Sequence, residues 1–334
     1  MTELRIEATR GDLIESVHRV SVAVVQSDGR LVAAAGDPSR VAFWRSAAKP
    51  FQALPLIEDG AADALGMTAE ELALACASHS SEPRHLEVAA GLLRRIGATE
   101  AELACGPHPP ISTEVAERVI RQGITLTPLW SNCSGKHAGM LALARHHGWQ
   151  WAGYERPGHP LQDRILAEVA RWTCIRGEAI PLATDGCAAV TFGLPLSAMA
   201  LAWAQFGSDT GPAPARLRAA MTAHPDLVAG TGRLCTELMG ALPGRVLAKV
   251  GAAGIYCAAL PELGLGVALK VADGDSDVSA PALLAVLGAV LERAGAGARY
   301  DLGPVAHHAA QPILNTRGTR VGMLRAAGVL RFHD

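Results

Sequence analysis

The chain has 334 residues, 49% apolar and 19% charged, with a formal net charge of −2. That composition supplies a sizeable core and excludes a disordered chain. The charges are scattered, with no basic block or stripe to grip nucleic acid, so a small molecule is the expected partner.

The stretch up to Val17 mixes Glu3, Arg5, Glu7, Arg10, Asp12 and Glu15, and holds no apolar run that could serve as a signal peptide. Cys76, Cys105, Cys133, Cys174, Cys187, Cys235 and Cys257 follow no disulfide-framework spacing. They read as reduced thiols and the chain as cytoplasmic. The first clear element is a hairpin, with strands over 20–25 and 31–35 joined by Ser27-Asp28-Gly29. From about Ser46 to Leu242 the pattern is helical. Thr68-Ala69-Glu70-Glu71 and Thr99-Glu100-Ala101-Glu102 both read as capping boxes that open helices. Pro83 and Pro160 stand in first helical turns, with periodic runs to about Ile96 and Thr173. A further helix follows Ser134-Gly135 and stops at Gly148, placing His146-His147 at its C-terminal end. The apolar segment 188–206 is broken by Thr191, Pro195, Ser197 and Gln205, so it reads as a buried strand then a buried helix, not a membrane span.

Strands return as a meander over 245–250, 254–259 and 265–271. A long apolar helix opens at Ser279 or Ala280 and ends near Gly295, and a last strand covers 319–324. His307-His308 falls in a late loop and takes no role. With no repeat and no dividing linker, the reading is a single mixed α/β domain over 1–334. An antiparallel sheet lobe draws on about 1–45 and 245–334, and a helical lobe on about 46–244. Serine β-lactamases and penicillin-binding proteins share that arrangement, an analogy of fold alone.

Arg45-Ser46-Ala47-Ala48-Lys49 carries an S-x-x-K spacing. Residues i and i+3 share a helix face, so the lysine amine can serve as base for the serine hydroxyl. Taken alone, the tetrapeptide is common by chance and is better read as a capping serine and a solvent lysine. Ala77-Ser78-His79-Ser80-Ser81-Glu82 is densely polar after an apolar helix; it reads either as site residues or as a helix end and a new cap. Ser131-Asn132-Cys133-Ser134-Gly135-Lys136-His137 gathers a thiol, hydroxyls, an amide, an amine and an imidazole at a helix start. It lacks the full phosphate-loop pattern, which excludes nucleotide binding. Thr184-Asp185-Gly186-Cys187 is a second polar turn. One cysteine from each segment, with Lys136, Asp185 or His137, would suit zinc, and two buried thiols would suit the same spacing.

Taken together and in order, these segments resemble the thermolabile, Rhizobium-type L-asparaginase II family. So do Glu15 to Val20, Phe43 to Pro50, Cys105-Gly106-Pro107-His108, His224-Pro225, Val228-Ala229-Gly230-Thr231-Gly232-Arg233 and Gly264 to Val271. The resemblance covers nearly the whole chain. It implies a β-lactamase-like fold, a homodimer, and hydrolysis of L-asparagine to L-aspartate and ammonia with no cofactor required for the chemistry. It also implies two Ser–Lys pairs, Ser46 with Lys49 and Ser78 with Lys249, and a zinc ion held through Cys133, Lys136 and Cys187. On this reading Ser46 is the nucleophile and Lys49 its base. Arg45, Asn132 and Asp185 are candidates for contacting substrate. The same machinery would suit another amide, such as glutamine or a β-lactam. A metal- or amino-acid-binding homologue without catalysis is the non-enzymatic alternative. The segment Lys249-Val250-Gly251-Ala252-Ala253-Gly254 departs from the family's K-x-G-A-E-G at Ala253. Ser81 and Ala188 stand where glycine is more usual.

Overall fold

The computed structural model describes residues 3–333; positions 1, 2 and 334 of the expected domain span lie outside the described residues. The chain opens with strands β1 (Leu4–Arg10), β2 (Leu13–Gln26), β3 (Leu31–Ala35) and β4 (Val41–Phe43). Helices α1 (Lys49–Glu58), α2 (Ala61–Ala64), α3 (Ala69–Ala75), α4 (Pro83–Arg95), α5 (Thr113–Gln122), α6 (Ser134–His146) and α7 (Pro160–Thr173) follow. Next come β5 (Leu182–Thr184), β6 (Val190–Pro195), α8 (Leu196–Ser208), α9 (Pro212–Ala223), α10 (Pro225–Val228) and α11 (Leu234–Ala241). The last part holds β7 (Leu247–Gly251), β8 (Ile255–Leu260), β9 (Leu265–Val271), α12 (Ser279–Arg293), β10 (Ala310–Leu314), β11 (Arg320–Gly328) and β12 (Arg331–Phe332). Among the described residues no helix is long and apolar enough to cross a membrane.

Two compact units divide the chain. Among the described residues, the sheet unit comprises 3–47, 194–208 and 237–333; the helical unit comprises 48–193 and 209–236. The fold is mixed α/β, and its large sheet is antiparallel, in the order β10-β11-β1-β2-β9-β8-β7 with β3 on β2 and β12 on β3. Strands from both ends of the chain therefore lie side by side. Helix α8 packs on β2, β8 and β9 and is almost wholly apolar, as a helix buried on several sides must be.

The expected hairpin is present as β2–β3, and the meander as β7–β8–β9. β1 and the first half of β2 were not legible, because β1 hides a charge in its core. Glu7 is buried, sits opposite Arg325 of β11 in register, and bonds both Arg5 and Arg325. A paired, buried carboxylate breaks the apolar alternation on which strand assignment rests. β10 escaped for the converse reason: its residues alternate between exposed and half-buried, with none in the core.

In the helical unit, the two helices expected from leading prolines begin at Pro83 and Pro160, and Thr68 forms the full capping box that opens α3. The Thr99 box is a correction. Its reciprocal bonds form, but only a single 3-10 turn over Glu100–Glu102 follows. Gly106, Pro107, Pro109 and Pro110 come too soon for a helix to propagate. α6 is the central element and packs on α1, α3 and α4, its residues buried from Ser134 to Ala144. Gly135 lets it approach: a Cβ there would lie 2.5 Å from the carbonyl oxygen of Leu74, at the end of α3.

Both positions where the resemblance leads one to expect glycine have left-handed backbones, with φ of 59° at Ser81 and 73° at Ala188. Ser81 has a compensating bond from its hydroxyl to Trp130 O at 2.8 Å. A left-handed conformation costs a non-glycine residue about 1–2 kcal/mol, partly offset because glycine gives the unfolded chain more freedom. Ala188→Gly should accordingly raise stability by about 0.5–1 kcal/mol. Equilibrium denaturation checks this, and a fall in midpoint would contradict the strain assigned to Ala188.

Candidate active site

Within the helical unit, three segments converge on one amine. Lys49 opens α1 and is almost fully buried. Its Nζ donates to Ser78 Oγ at 2.9 Å and to the carbonyl of Ala77, and lies 3.1 Å from Cys133 Sγ. Ser78 belongs to the irregular stretch between α3 and α4, and Cys133 stands just before α6. Lys49, which the family resemblance pairs with Ser46, donates here to the second serine, Ser78.

The Ser78 stretch is sewn to the 228–233 segment. Ser78 N donates to Val228 O at 3.0 Å, Ser80 Oγ to Ala229 O at 3.1 Å, and the Arg233 guanidinium to both Ser78 O and Ala229 O. Gly230 makes the approach possible, since a Cβ on it would fall 2.5 Å from Ser80 Oγ. Arg233, at the end of the Val228-Ala229-Gly230-Thr231-Gly232-Arg233 run, thus holds the backbone on both sides of this seam, a contact that no local spacing announces.

His79 fixes the serine stretch against α6. Its N–H donates to Asn132 O at 3.1 Å, and its Nδ1 accepts from Ser81 N at 3.2 Å. That leaves the ring proton on Nε2, which donates to Ser134 Oγ at 2.8 Å. Burial, with His85 and Lys49 nearby, pushes the His79 imidazole well below its usual range, so the ring is neutral. Asn132 is held in turn, its N–H donating to His108 Nε2 at 2.9 Å.

The sulfur cluster lies beside this group. Lys136 Nζ is 2.9 Å from Cys187 Sγ, and both residues are buried. A hydrogen bond from Cys133 and the Lys136 ammonium, with help from His137, overcome burial and drive the Cys187 thiol far below its usual value. These contacts favour the thiolate form of Cys187. Cys133 moves the opposite way, its thiol raised by its bond to Cys187 and by burial, and its proton faces both that sulfur and Asn132 Oδ1, the latter at 2.9 Å. Burial would lower Lys136, but the charge of Cys187, the hydrogen bond to it and the Asp185 carboxylate raise it above its usual range. Two sulfurs and a nitrogen in one buried cluster form a donor set that fits zinc, once Cys133 and Lys136 give up their protons. Asp185 lies in the same turn as Cys187, its Oδ1 accepting from Gly186 N at 2.8 Å.

The sheet unit carries the remaining candidates. Arg45 and Ser46 are half-buried in a 3-10 turn that follows Trp44, with Arg45 at φ 53°. Trp44 hydrogen bonds Cys257 of β8, and its carbonyl would lie 3.1 Å from a Cβ on Gly251 of β7. The turn bearing Ser46 thus adjoins the strand that bears Lys249. Lys249 is wholly buried, donating to Val250 O at 2.8 Å, and burial pushes the Cys257 thiol up to about 12 despite the lysine's charge.

Acid lability follows from these groups. His79, His85 and His137 are all held below their usual range by burial, so below about pH 6.5 the unfolded chain binds protons that the folded chain refuses. The depressed Cys187 thiol acts with the same sign, its stabilisation shrinking as pH falls from its unfolded value. The thermal midpoint should therefore fall steadily between pH 7 and pH 5, and a flat profile in calorimetry would contradict the burial assigned to these rings.

The sequence model of the family described as L-asparaginase II matches residues 6–326. No curated protein matches the chain. Among solved structures, a putative β-lactamase from Bacteroides dorei DSM 17855 is 14% identical, with 80% of this chain and 93% of that chain covered and a TM-score of 0.42. A β-lactamase from Mycobacterium bovis is 14% identical over 82% of this chain and 94% of that one, with a TM-score of 0.34. A penicillin-binding protein homologue from Pyrococcus abyssi is 14% identical over 80% and 73%, with a TM-score of 0.32. Likeness so distant says nothing of the chemistry here, whereas the family match spans both serine segments and every sulfur and amine in the two clusters. This chain belongs to the L-asparaginase II family.

Proposed function

We propose that the chain hydrolyses the side-chain amide of L-asparagine to L-aspartate and ammonia through a seryl ester. The observation that carries this reading is the buried Lys49 Nζ–Ser78 Oγ hydrogen bond of 2.9 Å, inside the stretch that matches the family. Amide hydrolysis through serine needs a base for the hydroxyl proton and an acid for the departing nitrogen. An amine in contact with a hydroxyl can carry a proton in both directions.

In the proposed sequence Ser46 Oγ attacks the amide carbon, and its proton passes to Lys49, three residues further along the chain. The C–N bond breaks as the proton returns through Ser78 to the nitrogen. Ammonia leaves and an aspartyl ester remains on Ser46; water then cleaves the ester and restores the serine. Lys249 is proposed as a second amine for the proton traffic of Ser78. Arg45 is proposed to fork onto the substrate α-carboxylate, and Asn132 and Asp185 to position polar groups. Arg233 and His79 act through Ser78, holding its backbone and its neighbours. Cys133, Lys136 and Cys187 are proposed to hold zinc, which when bound supplies a positive charge for polar groups of the substrate.

Ammonia release should be faster from L-asparagine than from L-glutamine or a chromogenic β-lactam assayed beside it; equal or reversed rates would remove the asparaginase reading. Lys49→Ala should lower kcat by roughly 10²-fold or more with folding intact, the usual contribution of a general base. Retention of about a tenth of the rate would count against the lysine as base. For the metal, zinc binding at neutral pH should release protons, because the Cys133 thiol and the Lys136 amine are both held above their usual range and must deprotonate to ligate. Calorimetry in buffers of different ionisation enthalpy measures this, and proton-neutral binding would mean that other groups hold the ion.

A further inference from the structure

The sheet unit contains a second convergence of ligating atoms, remote in sequence from the serine and sulfur segments. Glu237 sits in α11, and His307 and His308 end the 3-10 turn Gly303–His308 that leads into β10. His307 Nε2 lies 3.0 Å and His308 Nε2 2.8 Å from the same carboxylate oxygen, Glu237 Oε2. The three ligand atoms all fall within 4.8 Å of one another.

Adjacent residues in a 3-10 turn project about 120° apart, because the turn holds three residues. The backbone does not by itself aim two neighbouring rings at one oxygen, yet both imidazoles reach it, their centroids 4.1 Å apart and their planes tilted by 37°. A zinc-class ion binds nitrogen and oxygen at about 2.0–2.2 Å, which sets neighbouring donors roughly 3 Å apart. Both Glu–His separations already match that spacing. The site is closed on one side and open on the other: the His308 side chain is 13% exposed, Glu237 31% and His307 61%. Imidazole with a carboxylate suits zinc, cobalt, nickel or copper rather than a hard cation such as magnesium.

We propose that Glu237, His307 and His308 form a divalent transition-metal site of the zinc–cobalt class. It is separate from the Cys133, Lys136 and Cys187 cluster and independent of the asparaginase reading. Its open side leaves the remaining coordination positions to water, and the bound ion ties α11 to the turn that feeds β10.

Cobalt(II) titrated into the tag-free full chain bearing Cys133→Ala and Cys187→Ala tests this directly. We expect one bound equivalent, with ligand-field absorption bands and no thiolate-to-cobalt charge-transfer band. Adding His308→Ala or Glu237→Gln should abolish those bands. Failure of the cysteine-free chain to bind cobalt, or binding unchanged by His308→Ala and Glu237→Gln, would overturn the proposal. If the cysteine substitutions prevent folding, the same comparison is made on the native chain by elemental analysis. His308→Ala should then lose one equivalent and the rise in thermal midpoint that cobalt gives the native chain; an unchanged stoichiometry would overturn the proposal equally.

Discussion

A buried lysine amine has to be surrounded by acceptors, and the helical unit is arranged around that requirement. Leaving a cationic or polar nitrogen unpaired in the interior costs several kcal/mol, so burial of Lys49 demands partners. They come from separate parts of the chain: the Ala77 carbonyl and Ser78 hydroxyl from the stretch after α3, and the Cys133 sulfur from the entrance of α6. The start of α1, the end of α3 and the start of α6 must therefore meet at one point. Close packing at Gly135 against Leu74 and at Gly230 against Ser80 allows them to do so. Any larger side chain at either glycine would push apart the elements whose separation sets the serine–lysine contact.

The same logic orders the polar groups around this point. Neutral His79, sulfur-bound Lys136 and the Arg233 guanidinium each occupy a direction in which a backbone or side-chain group would otherwise go unsatisfied. The two thiols are displaced in opposite directions, Cys187 down and Cys133 up, because one donates its hydrogen bond to the other.

Much of this was legible in the sequence. Helices announced by a capping box or a leading proline start where expected, at Ala69, Pro83 and Pro160, because those signals act locally. The chemistry-bearing segments were visible as dense polar runs beside apolar ones. What spacing does not reveal is which amine meets which serine. The i, i+3 relation relates Lys49 to Ser46, and the structure adds a hydrogen bond from Lys49 at the start of α1 to Ser78 in the stretch after α3, which no spacing reveals. Arg233 and the buried Glu7–Arg325 pair escaped for the same reason, since both depend on partners far away in the chain. The left-handed backbones at Ser81 and Ala188 give a physical meaning to two departures that sequence could only note.

On the proposed function, amide cleavage proceeds through a serine ester, with Lys49 and Ser78 moving the proton. Partitioning with hydroxylamine tests it most directly. L-asparagine and the β-methyl ester of L-aspartate are turned over in parallel with increasing hydroxylamine, and the ratio of β-aspartyl hydroxamate to aspartate is measured for each. A common seryl ester predicts one ratio at each hydroxylamine concentration, whichever leaving group departed. Absence of hydroxamate, or a ratio that depends on the leaving group, would contradict the account and point to direct attack by water.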